Sequence, residues 1–134
     1  MQTSFACAFG GKDNGERRGG MGYGWDNEVR DRYIYLLAFA AKRQVYVGQS
    51  VDPIRRIKSH RRPSGGWDDP FLPLVVHREQ CTEAEIMDFE YAWRWNVHLH
   101  GWTPITLNGL PFDMGLLRPS AKERGGALPW PFII

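Results

Sequence analysis

The run Tyr33-Ile-Tyr-Leu-Leu-Ala-Phe-Ala-Ala41 constrains the fold more than any other segment. Its apolar length is about half of the ~20 residues that a bilayer-spanning helix requires, so it belongs in a protein interior rather than across a membrane. Val45-Tyr-Val-Gly48 follows after the polar Lys42-Arg-Gln44, and the two β-prone stretches read as strands joined in a hairpin. The whole chain has 134 residues, 43% hydrophobic and 13% aromatic, which is enough to bury one core but too short for two full domains. No charged leader followed by an apolar stretch opens it, and Cys7 and Cys81 make neither a CxxC pair nor a four-ligand zinc set. A soluble protein of the reducing cytoplasm, not secreted, is expected.

Punctuation divides the rest. Residues 1–30 hold a Gly-rich stretch between Gly10 and Gly24 and read as an N-terminal extension, in which Arg17 and Arg18 are available to touch phosphates. Asp52-Pro53 supplies an N-cap and an N1 proline for a helix to about Arg62, stopped by Pro63, Gly65 and Gly66. Phe71–His77 reads as a third strand, with Pro73 implying an edge position or a late start. Thr82-Glu-Ala-Glu85 is a capping box that opens a helix to about Val97. From Gly101 onward Gly and Pro recur, and the apolar Leu128-Pro-Trp-Pro-Phe-Ile-Ile134 must pack on the domain or form a homodimer with a second copy.

Charge is segregated although the net value is only +2. Between Arg30 and Arg62 nine Lys and Arg face two Asp, whereas from Pro63 to Trp95 seven acids face Arg78 and Arg94. A cationic patch beside an acidic segment suits a phosphodiester enzyme, in which cations hold the backbone and carboxylates hold a metal. Pairing between neighbouring elements is the plainer explanation.

Helical periodicity refines the candidates. On the first helix it puts Ile54 and Ile57 toward the core and stacks Arg56 one turn from His60, while Arg55, Lys58 and Arg62 fall on another face. On the second it places Glu90 in the apolar stripe of Ile86, Trp93 and Val97. A buried carboxylate must face a cation, either an Arg from the basic helix or a metal ion. Tyr35 and Tyr46 take alternate positions on adjacent strands and can share one side of the hairpin, with Gly48 leaving room beside Tyr46. An aromatic core pair is the plainer reading of the tyrosines.

Taken together, Tyr33-Ile34-Tyr35, Tyr46-Val47-Gly48, Arg56, His60 and the helical Glu90 closely resemble the GIY-YIG nuclease family over residues 31–108. In motif detail Val45–His60, Pro73–His77 and Asp88–Trp95 look most like the catalytic subunit of the eukaryotic structure-selective junction endonuclease. Tyr33 departs from the family's usual glycine, and the junction enzyme's cysteine-rich zinc module has no counterpart here. The resemblance implies an α+β domain with a small three-stranded antiparallel sheet flanked by helices, and metal-dependent endonucleolytic hydrolysis of DNA at branched or flapped structures. It implies that Glu90 holds Mg²⁺, with Mn²⁺ as a substitute, and that Arg56 stabilises charge on the phosphate. Tyr46, alone or with His60, orients or deprotonates water, with Tyr35 beside it. Gly48, Arg55, Lys58, Arg61 and Arg62 are the implied substrate-side residues, and Asn108 rather than Asn96 the asparagine completing the set. Residues 109–134 are read as a C-terminal extension. A restriction- or homing-type nuclease and a catalytically silent nucleic-acid-binding module of the same fold are the alternatives.

Overall fold

The structure, a computed structural model, describes residues 26–61 and 67–132. The expected hairpin is its centre: β1 (Arg30–Phe39) pairs antiparallel with β2 (Gln44–Ser50), setting Tyr35 opposite Gly48 and Leu37 opposite Tyr46. A single turn of 3-10 helix, Ala40–Lys42, joins them and is closed by Arg43 at φ 53°, a left-handed position. β3 (Leu72–Cys81) lies antiparallel on the other side of β1, and β4 (Thr103–Ile105) runs parallel to β2.

The sheet is thus four-stranded and mixed, in the order β3-β1-β2-β4, and not the three-stranded antiparallel sheet expected. The added strand has only three residues with a proline in the middle, so no local pattern marks it. Its pairing is set by the helix that returns the chain to the β2 edge, and an edge strand tolerates Pro104. Pro73 likewise sits on an edge strand, as its sequence context suggests. β3 runs on to Cys81, and its register shifts between Ile34 and Tyr35, where one extra residue bulges.

Both faces of the hairpin are covered, which explains why β1 is apolar without alternation. Ile34, Leu36, Ala38, Val45 and Val47 pack with Ile86, Trp93 and Val97 of α2 (Glu83–Leu99), while Tyr35, Leu37 and Phe39 pack with Tyr46, Ile57, Trp67 and Phe71. The second group belongs to the side covered by α1 (Pro53–His60), which Asp52 caps by accepting the backbone N–H of Arg55. Ile54 is 59% exposed and leaves the core face expected for it. The short helix rests on Pro53, Ile57 and His60, a spacing of four and three residues that turns Ile54 outward. Arg62 falls outside the described residues, as do Cys7, Arg17, Arg18 and the rest of the Gly-rich stretch.

The expected capping box at Thr82 is present, and the stripe of Ile86, Glu90, Trp93 and Val97 is buried along α2. What the Gly/Pro-rich spacing hides is α3 (Pro119–Gly126). Asn96 donates to the carbonyls of Gly125 and Leu128 at 3.2 and 2.8 Å, tying α3 to α2, and Leu128, Trp130 and Phe132 pack on the core. The described part of the apolar tail therefore uses the first of its two expected partners, its own domain. At the other end Arg32, 4% exposed, binds Asp26 at 2.8 Å and the Cys81 carbonyl at 2.9 Å, while the Asp26 backbone N–H donates to Glu83. Among the described residues no helix is long and apolar enough to cross a membrane.

The α2–α3 contact leaves no room for a side chain: a Cβ on Gly125 would lie 2.3 Å from the Ala92 carbonyl oxygen. Gly125→Ala should therefore cost about 1–3 kcal/mol of stability as overpacking, measured by urea denaturation, with an unchanged midpoint refuting this packing.

Candidate active site

Three of the residues singled out in sequence meet over one face of the hairpin. The register of β1 and β2 brings Tyr35 and Tyr46 to ring centroids 6.2 Å apart, and α1 ends by lowering His60 onto both. The Tyr35 hydroxyl and His60 Nε2 share a hydrogen bond of 2.9 Å, and the Tyr46 and His60 rings meet at 5.4 Å. Tyr35 is fully buried and His60 5% exposed.

Gly48 makes this possible. A Cβ there would stand 2.5 Å from Tyr35 Cζ, 2.6 Å from its hydroxyl oxygen and 2.8 Å from Tyr46 Cε2, so any side chain would collide with both rings. A close approach that only glycine permits, and not a special φ, is the constraint.

Electrostatics follow from the burial. Tyr35 is pushed well above the ordinary phenol value of 10, first by desolvation and then by Tyr46 and Glu90, with Arg56 acting in the opposite direction. Tyr46 is raised as well, by burial and then by Glu90, against the opposing influence of Arg94, Arg56 and the Tyr35 hydroxyl. His60 is lowered to about 4 by desolvation and by the charge of Arg56. At neutral pH the trio is two phenols and a neutral imidazole, joined by a hydrogen bond. Arg56 lowers Tyr46, but its effect is outweighed by burial and by Glu90. In this state each hydroxyl can both donate and accept a hydrogen bond, and the neutral imidazole keeps one ring nitrogen with a lone pair.

Arg56 and Glu90 flank the trio. Arg56 is exposed on α1, and its charge acts on Tyr35, Tyr46 and His60 alike, as its position one turn before His60 suggests. Glu90 reaches the tyrosines electrostatically from α2 and is 6% exposed. A cation not foreseen for it lies along the same helix: Arg94, one turn on, donates to Glu90 Oε2 at 3.0 Å. Acid and base four residues apart on one helix are the ordinary signal for such a pair, and it stood in the sequence.

The remaining residues spread out. Arg55, Lys58 and Arg61 lie exposed on or just after α1, Arg61 over the Phe71 ring and the other two without an ion pair to any described residue. Asn108 is exposed in the turn after β4, while Asn96 is committed to holding α3. Trp67 was not foreseen. Its backbone N–H donates to the His60 carbonyl at 2.9 Å, and its ring stacks on the imidazole with centroids 5.1 Å apart. No periodic pattern singles out one tryptophan after a Pro/Gly-rich break, which is why sequence reasoning passed over it.

Among the described residues no group of three or more His, Cys, Asp or Glu is placed to hold a metal ion. The donor set instead offers one buried carboxylate beside hydroxyls. That fits Mg²⁺, which is held by one or two carboxylates and completes its shell with water and substrate phosphate, and does not fit a zinc cage.

Compared with protein-family models, with curated proteins and with solved structures, the chain gives no match.

Two outcomes follow from the cluster. Gly48→Ala should displace the tyrosine pair and lower stability by about 1–3 kcal/mol, seen as a reduced urea midpoint and altered tyrosine ring signals in NMR; an unperturbed spectrum would contradict the packing. Because folding holds His60 below its ordinary 6.5, its contribution to stability is complete above pH 6.5 and is lost as pH falls toward about 4. His60→Gln should flatten that part of the stability–pH curve, and a curve still falling as steeply as in wild type would assign the loss elsewhere.

Proposed function

We propose that the chain is a metal-dependent endonuclease hydrolysing phosphodiester bonds in DNA, working as the GIY-YIG nucleases that its motifs resemble. The observation that carries this reading is the Tyr35–His60 hydrogen bond beside Tyr46, packed so tightly that Gly48 must lack a side chain. Aromatic core pairs need neither an imidazole acceptor nor a flanking cation and carboxylate. Here all of them converge.

In this reading Glu90 holds Mg²⁺, or Mn²⁺ in its place, and the bound ion supplies Lewis-acid polarisation of the phosphate and its leaving oxygen. Arg56, exposed and next to the trio, stabilises charge that builds on the phosphate. Tyr46 orients the attacking water. Protons leaving that water pass along hydroxyls to His60, in the neutral tautomer whose Nε2 carries the lone pair and accepts from the Tyr35 hydroxyl. Gly48 seats the two tyrosine rings against β2, and Arg55, Lys58 and Arg61 hold flanking phosphates. Branched or flapped DNA is the preferred substrate, by the resemblance of residues 45–60 and 88–95 to the junction endonuclease.

One observation favours a second reading. Glu90 is already paired with Arg94. A binding module that has given up catalysis would carry such a neutralised carboxylate, and its affinity for DNA would need no divalent ion.

Cleavage of labelled single-stranded, duplex, flapped and four-way-junction DNA with Mg²⁺, Mn²⁺ or EDTA separates the two. Glu90→Gln and Arg56→Ala should each lower the metal-dependent rate by about 10²-fold or more while circular dichroism stays that of the folded protein. Metal-independent, salt-sensitive binding with no cutting of any form would establish the silent module instead.

A further inference from the structure

The Glu90–Arg94 pair is unusual in its surroundings. The two side chains are 7% and 12% exposed, so neither charge is well solvated. The Arg94 guanidinium lies over the rings of Phe112 and Tyr91, 4.3 and 5.0 Å from their centroids, and its buried Nε has no hydrogen-bond partner among the described residues. Phe112 is itself fixed, its backbone N–H donating to the Pro104 carbonyl at 2.8 Å. Arg94 is therefore a clamped cation with unused hydrogen-bonding capacity, beside the carboxylate that a metal would need.

Removing one member of a buried ion pair leaves the other uncompensated, which is far costlier than exchanging both partners at once. A divalent cation arriving alone at Glu90 would strand Arg94. A phosphate arriving alone at Arg94 would draw it from Glu90 and bring a second anion beside that carboxylate. Arriving together, they allow a simultaneous exchange in which the carboxylate goes to the metal and the guanidinium to the phosphate. Every charge keeps a counter-charge, and the planar fork of Arg94 suits a phosphate as well as it suits a carboxylate.

We propose that Arg94 is a positioning residue that couples metal loading to DNA binding: it occupies Glu90 in the free protein and passes to a DNA phosphate when the metal enters. The proposal rests on the nuclease reading, in which Glu90 is the metal ligand. It makes the free protein a poor binder of divalent ions and makes the metal and DNA raise each other's affinity equally, as linkage requires.

The test reads binding rather than cleavage. Mn²⁺ affinity of the DNA-free protein is measured by electron paramagnetic resonance for wild type, Arg94→Gln and the double variant Glu90→Gln/Arg94→Gln. Arg94→Gln is expected to bind Mn²⁺ roughly 5- to 150-fold more tightly than wild type, the span of ordinary coupling, and the double variant to lose that gain. A second arm needs no change at Arg94: affinity for a flapped duplex is compared in Ca²⁺ and in EDTA at matched ionic strength, for wild type and Glu90→Gln. Tightening by Ca²⁺ is expected in wild type alone. Equal Mn²⁺ affinity in wild type and a folded Arg94→Gln, or DNA affinity indifferent to Ca²⁺, overturns the coupling. If wild type still cuts DNA with Mg²⁺, the nuclease reading survives that result; if it neither cuts nor binds Mn²⁺ with Arg94 removed, both fall together.

Discussion

The approach of the Tyr35 ring to the backbone of Gly48 is the contact on which the candidate site depends. It exists because β1 and β2 pair in one register, and a slip of a single residue would turn Tyr35 and Tyr46 to the opposite face. That register is held from both sides of the sheet. Ile34, Leu36 and Val47 are fully buried on the α2 side, while Tyr35 and Leu37 are fully buried on the other. Once the two rings are seated, α1 has only one way to end: with His60 against both, under Trp67.

Burial then decides the chemistry more than charge does. Arg56 draws the tyrosines toward ionisation, yet desolvation prevails at both, and the same desolvation keeps the imidazole neutral. The site therefore rests as a set of uncharged hydrogen-bonding groups between two charged ones. Glu90 and Arg94 carry their charges into the same poorly solvated region as an ion pair.

How much of this was legible in the sequence differs from element to element. The hairpin, the Asp52-Pro53 helix start and the Thr82 capping box were readable because each is a local pattern with a local cause. The placement of Glu90 in an apolar stripe was readable for the same reason. β4 and α3 were not, since a three-residue strand and a helix of Gly and charged residues are decided by what they pack against. Ile54 is not a core residue because contact with the sheet takes the face carrying Pro53, Ile57 and His60, a choice that tertiary packing makes. Arg94 was in plain view four residues beyond Glu90. An i,i+4 pair on one helix satisfies a buried carboxylate as well as an arginine from the neighbouring basic helix does, and the sequence alone does not choose between them.

Arg32 sets where the folding unit begins. Its guanidinium is buried against Asp26, and the Asp26 backbone reaches on to Glu83 at the start of α2. A fragment begun at Asp31, where the motif resemblance starts, would keep the arginine inside and discard the partly exposed carboxylate that it binds. At the other end, cutting after Asn108 would remove Leu128, Trp130 and Phe132 from the core they help fill. The recognisable motif and the stretch tied together by these contacts thus have different ends, and the second is the longer.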